Sequence, residues 1–535
     1  MLMLVLLTGR ITPPSRPALR WGRWAVPAGL VLMPIATMRT AHSDTIYLMI
    51  YQPYAGMTLA TMRALFDFDR DGYSAFFGGG DCAPFNAEIS PGHVEIPLNG
   101  IDDNCLRGDA KAPLDRAALQ EKVAAPADHP SMSVVLITID TLRPDRMSLY
   151  GHDRPTTPSL ERIAKTGVRF DRAYTAGGWT SISLSSMLRG VFPRRLTWNT
   201  LYETNKYRLL RSNERNDLMP GETVKLAFGM PIEEKLKPLA WWLKRRGMHT
   251  AAIIDDGYSQ FLDQKYMREG FDEYKEVEKL LPNKRDDVGT ADLAIDTIEK
   301  MPQGEPFFLW THFFGPHGPS VKHEGTRYWG EKEPDGYDHE ILFVDNQIRR
   351  VLATLTKKMG IDPYVVIITS DHGEKIRTTS HRDHGSDLEE ESIRVPLIIT
   401  GVGFPAGKTS DAVVSLVDLF PTILAATNTP APEGLDGIDL APIVNGQREM
   451  PERTLIAETW RLGPDRMPLI DMLGAYNGQQ ILMLDRVNNL SVTKTQSKVG
   501  GPGGKTLYGV TTAPELRNRL EEYIEETGGV IRMIE

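Results

Sequence analysis

The sequence predicts an α/β fold, a large and mostly parallel central sheet flanked by helices, and three apolar runs carry that prediction. SVVLIT at 133–138, PFFLWTHFF at 306–314 and PYVVIITS at 363–370 are rich in β-branched and aromatic residues and lack polar alternation. Such runs belong to strands buried on both faces, as in parallel sheets. Between them the pattern changes period. TTPSLERIAKTG at 156–167 sets Pro158 at the first helical position behind a Thr N-cap and stops on Gly. VRFDRAY at 168–174 reads as a short strand, and GGWTSISLSSMLRG at 177–190 as a loop running into a helix.

Composition bounds the function. The 535 residues carry 61 Lys and Arg against 70 Asp and Glu, a net charge of −9, which argues against nucleic acid as a partner. With 47 Gly and 37 Pro the chain stays below the roughly 25–30% of low-complexity sequences, so collagen and wholesale disorder are excluded. Five segments are expected: a membrane-anchoring region at 1–66, an Asp/Cys-rich module at 67–109, a Pro/Ala/Lys-rich linker at 110–131, a catalytic domain at 132–450 and a smaller subdomain at 451–535.

In the first segment Met1 to Leu7, Trp24 to Met38 and Thr45 to Phe66 are apolar candidates for spans, each short or interrupted against the roughly 17–25 residues required. The abrupt apolar start suggests that further spans precede it. Arg10, Arg16, Arg20 and Arg23 lie between the first two candidates without an acidic residue, and the positive-inside rule puts that loop in the cytoplasm. One span after that loop puts the catalytic domain outside the cytoplasm, in the periplasm or at the cell surface, and two return it to the cytoplasm; the cysteine pair Cys82 and Cys105 favours the outside.

DFDRDGY at 67–73 places Asp67, Asp69 and Asp71 at positions 1, 3 and 5 of a calcium loop, Gly72 at 6 and the carbonyl of Tyr73 at 7. Hard oxygen ligands at this spacing suit calcium. An EF-hand would carry Glu at position 12, where Gly78 stands, so Asp102 and Asp103 of NGIDDNC are the nearest candidates for further ligands. The run from Asp67 to Cys105 resembles the short Asp/Cys metal-binding repeats of secreted and surface bacterial proteins. That resemblance implies a disulfide between Cys82 and Cys105.

The chemistry falls from residue 132 onward. In open α/β sheets ligands gather at the carboxyl ends of strands, so Asp140, Asp371 and His372, which close two of the buried runs, are candidate metal ligands. Thr180 sits where loop becomes helix, facing free backbone N–H groups that stabilise an alkoxide and the anion it attacks. Its hydroxyl with the two carboxylates and the imidazole forms a mixed N/O set for one divalent cation, zinc or manganese ahead of calcium because of the imidazole. His312, His317, His381 and His384 follow in the adjoining loops. His312, Ser181 and His381 are held as candidates for a second metal site or for substrate contacts.

VVLITIDTLRPD, LYGHDRPTTPSLERIAKTGVRF, WTSISLSSMLRGVFP, GFDEY, FFLWTHFFGPHGP, IITSDHGE and HGSDLEEESIRVPLII, with VSLVDLFPTIL after them, resemble in order the motifs of the sulfatase family of the alkaline phosphatase superfamily. The resemblance implies an alkaline-phosphatase-like sandwich: a large mixed, mostly parallel central sheet flanked by helices, with a small C-terminal α+β subdomain ending in the helix APELRNRLEEYIEETG. It also implies that Asp140, Asp371 and His372 hold metal, that Thr180 is the nucleophile, and that His317 and His384 contact the anionic ester. GGPGG at 500–504 is expected to be a hairpin loop.

Two departures from the family pattern narrow the chemistry. The CxPSR or SxPSR motif, whose first residue becomes formylglycine, is replaced by Thr180, Ser181, Ile182, Ser183 and Leu184. The GKWHLG cations give way to Asp255 and Asp256 in HTAAIIDDGYS. A Thr cannot become an aldehyde, so the route that expels sulfate by hemiacetal collapse is closed. An Asp/Asp/His metal site with a Thr nucleophile looks like the phosphodiesterases and phosphoethanolamine transferases of the superfamily. The expectation is therefore a metal-dependent hydrolase or transferase of phosphate esters, phosphodiester or phosphonate first, acting on a small-molecule, lipid or glycan ester at a membrane. A sulfuric ester hydrolase is the alternative within enzymes. A non-catalytic surface-binding protein is the third reading, against which the retained nucleophile and ligands stand.

Overall fold

The computed structural model describes residues 61–76, 80–90, 99–103, 105, 132–206, 208–211, 214, 217–232, 236–255, 265–281, 287–360, 363–376, 382–463, 468–486, 490–495, 513–527 and 532–534. The three apolar candidates for spans lie outside these residues, apart from the end of the third, and so do the linker, the GGPGG run, Asp256 and His381. Among the described residues no helix is long and apolar enough to cross a membrane. The chain divides into two compact units, one of residues 1–91 with 488–490 and one of residues 92–487 with 491–535.

In chain order the strands are β1 (Ser133–Ile139), β2 (Gly167–Tyr174), β3 (Thr197–Thr204), β4 (Leu209–Arg211), β5 (Val224–Pro231), β6 (His249–Ile254), β7 (Glu273–Glu276), β8 (Phe307–Phe313) and β9 (Tyr364–Ser370). They continue as β10 (Lys375–Ile376), β11 (Arg382–Asp383), β12 (Arg394–Gly401), β13 (Lys408–Ser415), β14 (Leu455–Leu462), β15 (Pro468–Tyr476), β16 (Gln480–Asp485), β17 (Leu490–Thr495) and β18 (Arg532–Ile534). The principal helices are α1 (Pro158–Ala164), α2 (Thr180–Met187), α3 (Leu239–Arg245), α4 (Asp287–Lys300), α5 (Glu333–Met359), α6 (Leu419–Ala426) and α7 (Pro514–Thr527).

The large sheet has the order β13-β2-β12-β9-β1-β8-β6-β7. β1 is parallel to both β8 and β9, and β6 to β8, whereas β12 is antiparallel to β9 and β2. Every residue of β1 is buried. Val134 and Leu136 pack on one face with Leu239, Leu243, Leu419 and Ile423; Val135, Ile137 and Ile139 pack on the other with Ala291, Ile298, Ile341 and Ile348. Helices cover both faces, which is why the run shows no polar alternation.

Thr157 occupies the N-cap position of α1 and Pro158 the first turn, as the sequence predicts, but the Thr157 side chain does not cap. The Asp345 carboxylate of α5 takes the job instead, accepting from the N–H groups of Ser159 and Leu160, both at 2.9 Å. A capping partner 186 residues away ties the helix to its neighbour as well as ending it.

The second sheet has the order β17-β16-β15-β14-β5-β3-β18, with β4 beside β3. β14 is antiparallel to β15 and β5, β15 to β16, and β3 to β5 and β4, whereas β18 runs parallel to β3. Three of its strands, β3 to β5, come from before residue 232, so the smaller sheet is more than a C-terminal appendage. Leu516, Leu520, Tyr523 and Ile524 of α7 pack against Ile456, Leu473, Ala475 and Leu482 of this sheet.

Arg194 is the charged pin of this layer. Its guanidinium lies 2.7 Å from Glu458 and 2.5 Å from Asp471, with Arg194 and Glu458 fully buried, and Tyr523 donates to Glu458 at 2.6 Å. Removing one member leaves an uncompensated buried charge. Arg194→Met is expected to cost about 3–5 kcal/mol of stability, read as a fall in denaturation midpoint.

Candidate active site

The parallel register fixes where the acids fall. Ile139 lies opposite both Phe313 and Ser370, so the residues that follow β1 and β9, Asp140 and Asp371, leave the sheet side by side at its carboxyl edge. Thr141 then turns through a left-handed conformation, φ 58°, which a β-branched residue rarely adopts. Neighbours hold it there: its N–H donates to Asp371 Oδ1 at 3.2 Å and its carbonyl accepts from Tyr337 at 2.6 Å. Ser370 bonds the Ile139 and His372 carbonyls, both at 2.7 Å, locking the two strand ends together.

Thr180 is the first residue of α2, behind Trp179 at the N-cap. Its Oγ1 lies 3.1 Å from His372 Nε2. Ser183, one turn on, donates to the Asp371 carbonyl at 2.6 Å and pins the start of the helix to the end of β9.

Asp140 Oδ1 lies 3.6 Å and Asp371 Oδ2 3.5 Å from the same His372 Nε2. Because His372 Nδ1 faces the Gly373 carbonyl at 2.9 Å, the proton sits on Nδ1 and the Nε2 lone pair looks at the carboxylates. Burial holds this imidazole below the ordinary histidine range, hence neutral. Asp140 Oδ1 and Asp371 Oδ2 are buried without a hydrogen-bond partner. Buried carboxylate oxygens that receive no hydrogen bond and face an imidazole lone pair are costly alone and become favourable around a cation. The donor set fits one divalent metal.

His384 stacks on His372 at 4.8 Å between ring centroids and meets His317 edge-on at 5.1 Å, so these three are brought together. His317 donates from Nδ1 to the Gly318 carbonyl at 2.8 Å, and burial together with His384 pushes its pKa down to about 4. His384 differs. Burial favours its neutral form, but Glu374, 3.1 Å from Nδ1, outweighs that and raises it above the ordinary range. The two imidazoles are thus driven in opposite directions, His317 toward its neutral form and His384 toward the cation.

Glu374 was not legible as a functional residue, although it closes the same SDHGE run as the metal ligands. Glu374→Gln is expected to lower the His384 pKa. If cationic His384 holds the anion, activity falls as pH rises through that pKa, so the alkaline limb of the pH–rate profile should move to lower pH. Turnover at neutral pH should drop roughly tenfold.

His312 is buried, with Nδ1 2.8 Å from Thr138 Oγ1 and Nε2 4.0 Å from Asp140 Oδ2. Among the described residues two groups of three acidic or imidazole side chains converge closely enough to share an ion, Asp140–Asp371–His372 and Asp67–Asp69–Asp71. A second catalytic metal centre built on His312 is not among them. Ser181 is turned away and donates to the Gly229 carbonyl at 3.0 Å. Asp255, at the end of β6, is buried and accepts from Thr290 of α4 at 3.1 Å.

In the Asp-rich module Asp67 accepts from the N–H groups of Arg70 and Gly72, at 2.7 and 3.0 Å, and Asp71 from that of Tyr73 at 2.7 Å. Both oxygens of Asp69 and one of Asp71 lack a partner. Asp81, which the spacing did not single out, is buried with Oδ2 unpartnered, and its pKa is raised by burial and by the charges of Asp71, Asp69 and Asp67. Asp102 and Asp103 fall in the other unit, where Asp103 accepts from Asn99 at 2.7 Å. Cys82 and Cys105 are both in disulfide linkage.

A large mixed sheet covered by helices, with two acids, an imidazole and a hydroxyl at its carboxyl edge, defines a metal-dependent hydrolase of the alkaline-phosphatase-like class. Within that class the family model described as Sulfatase matches residues 133–429, more than half of the sequence, and the chain belongs to the sulfatase family. It is 26% identical over 370 residues to the N-acetylgalactosamine-6-sulfatase of Canis lupus familiaris, covering 60% of this chain and 67% of that protein. The match to such relatives thus spans about two thirds of their length, 65% for the Homo sapiens protein of that name. In structure it resembles a 2-O GAG sulfatase, with TM-score 0.54 and 19% identity over 75% of this chain and 93% of that one. It also resembles the phosphonate monoester hydrolase of Silicibacter pomeroyi, with TM-score 0.54 and 17% identity over 74% and 94% of the two chains. At these identities the structural likeness is one of fold.

Proposed function

We propose that this sulfatase-family chain hydrolyses or transfers phosphate esters, with phosphodiesters or phosphonate monoesters ahead of phosphomonoesters and sulfates last. The observation that carries the reading is the Thr180 hydroxyl, which cannot be oxidised to an aldehyde, 3.1 Å from His372 Nε2 beside Asp140 and Asp371. A divalent cation held by Asp140, Asp371 and His372, zinc or manganese ahead of calcium, would supply charge that lowers the pKa of the Thr180 hydroxyl. Thr180 Oγ1, its proton released to solvent as it ionises, then attacks phosphorus; the bond to the leaving oxygen breaks as that oxygen takes a proton from His384, which regains one from the water or acceptor alcohol of the second step. Water or an acceptor alcohol opens the phospho-threonine, while neutral His317 steadies the transferred group. A phosphodiester carries one negative charge, which suits a contact set of two imidazoles, only one of them biased toward its cation, better than a dianion does.

The test compares esters of one leaving group, 4-nitrophenol, as phosphodiester, phenylphosphonate, phosphomonoester and sulfate on metal-loaded protein. We expect the best phosphorus ester to exceed the sulfate by more than about tenfold in kcat/KM. Sulfate turnover within that factor would leave the second reading, a sulfuric ester hydrolase, which the names of the curated relatives favour.

The remaining parts of the proposal concern placement. Asp67, Asp69 and Asp71, with Asp81, would bind calcium in an accessory module. The disulfide-linked cysteines support an oxidising compartment, so the domain is proposed to work outside the cytoplasm, anchored at a membrane through residues 1–66.

A further inference from the structure

β14 belongs to the second sheet, yet its main chain is bonded to the segment that leads into the nucleophile. Glu458 N–H donates to the Ala176 carbonyl at 2.9 Å and its carbonyl accepts from Gly178 N–H at 3.2 Å, while Thr459 donates to the Gly385 carbonyl at 2.7 Å. This fixes Arg461, further along the strand, against Trp179, the residue before Thr180. The guanidinium carbon lies 4.5 Å from the Trp179 ring centroid.

Arg461 is poorly compensated there. One N–H reaches the His384 carbonyl at 3.5 Å, Nε is buried without a hydrogen-bond partner, and no ion pair among the described residues holds it. Asp383 and Glu203 are the acidic groups whose charge reaches it. Asp383 is engaged by Ser386 at 2.5 Å, and Glu203 faces Lys225 at 3.6 Å. Trp179 Nε1 is likewise buried and unpartnered, with its ring against Phe228 at 5.3 Å and His384 at 5.0 Å. A cation–π contact contributes only about 0.5–2 kcal/mol, less than an unpaired, partly desolvated cation costs. Two unsatisfied donors beside the nucleophile call for an acceptor that comes from outside the chain.

We propose that Arg461 and Trp179 form an anion-binding subsite at the rim of the reaction centre, which takes a negatively charged group of the substrate other than the ester being broken. Arg461 touches His384 only through its backbone carbonyl, while the imidazole itself stacks on His372, so the guanidinium stands one residue layer out from the reacting group. The substrate class is therefore an ester that bears a second anionic group, a carboxylate, sulfate or phosphate. The identity of the reacting ester rests on the function proposed above.

The experiment uses the full chain, metal-loaded, with matched esters of 4-nitrophenol and of 5-hydroxy-2-nitrobenzoate, the same phenol carrying a carboxylate, in both the phosphonate and the sulfate class. Within whichever class turns over, the carboxylate leaving group should be favoured by about tenfold in kcat/KM, mainly through KM. Arg461→Met should bring that ratio to about one whatever it does to the common turnover, Arg461→Lys should keep part of it, and Trp179→Phe, which keeps the ring and loses the N–H, should lower it. Calorimetric binding of free 5-hydroxy-2-nitrobenzoate against 4-nitrophenol reads the subsite without turnover. If neither ester class reacts but the carboxylate binds more tightly and loses that advantage in Arg461→Met, the subsite stands and the proposed reaction fails. No preference for the carboxylate in folded wild type, or a preference that survives in Arg461→Met, would overturn the subsite.

Discussion

Thr180→Ala is expected to lower turnover by roughly a thousandfold or more while the protein keeps its fold and its metal. The side chain is partly exposed, and its described hydrogen bond runs to His372 alone, so truncation removes a reacting oxygen and little packing. Asp140, Asp371 and His372 remain to hold the cation. Activity measured beside circular dichroism and metal content checks each clause. Ser181→Ala and Ser183→Ala are the controls, because their hydroxyls are committed to the carbonyls of Gly229 and Asp371. A mild Thr180→Ala beside a crippled Ser181→Ala would reassign the nucleophile.

Asp371→Asn should have the second largest effect, with two readouts of opposite sign. The Asn carbonyl oxygen can still accept from the N–H groups of Thr141 and His372, which Asp371 Oδ1 now receives at 3.2 and 2.8 Å. The other position turns from an unpaired carboxylate oxygen into an amide, so metal affinity and turnover should each fall by about a hundredfold. In metal-stripped protein the same change removes repulsion from Asp140 and leaves fewer unpaired acceptors. Melting of the stripped variant should therefore be unchanged or higher, by up to about 1 kcal/mol. A stripped variant that melts markedly lower than stripped wild type would mean that Asp371 supports the fold in its own right.

What the sequence makes legible follows a physical line. Asp140, Asp371 and His372 stand out because uninterrupted buried runs end on them, and a parallel register brings such ends to one edge whatever the loops do. Thr180 is marked by the change of period at residues 177–190. Residues whose roles arise from contacts between distant segments leave no local trace. Glu374 matters through His384, ten positions on, and Arg461 through Trp179 in another layer. Asp345 caps a helix that precedes it by 186 residues, which no N-cap rule could find. The small sheet was foreseen only in its C-terminal half, since β3 sets polar Thr200 and Thr204 on its buried face, which hides the alternation from a hydrophobic reading, and its partners lie on both sides of the catalytic segment.

The central claim is that an unmodified Thr180 hydroxyl attacks the ester. Rapid acid quenching during turnover of 4-nitrophenyl phenylphosphonate, followed by peptide mass spectrometry, tests it most directly. The account predicts that the peptide spanning residues 179–189 carries threonine at position 180 in resting protein and a phenylphosphonyl group on that residue in quenched protein. An adduct on Ser181 or Ser183, or a chemically altered residue 180 in resting protein, would contradict it.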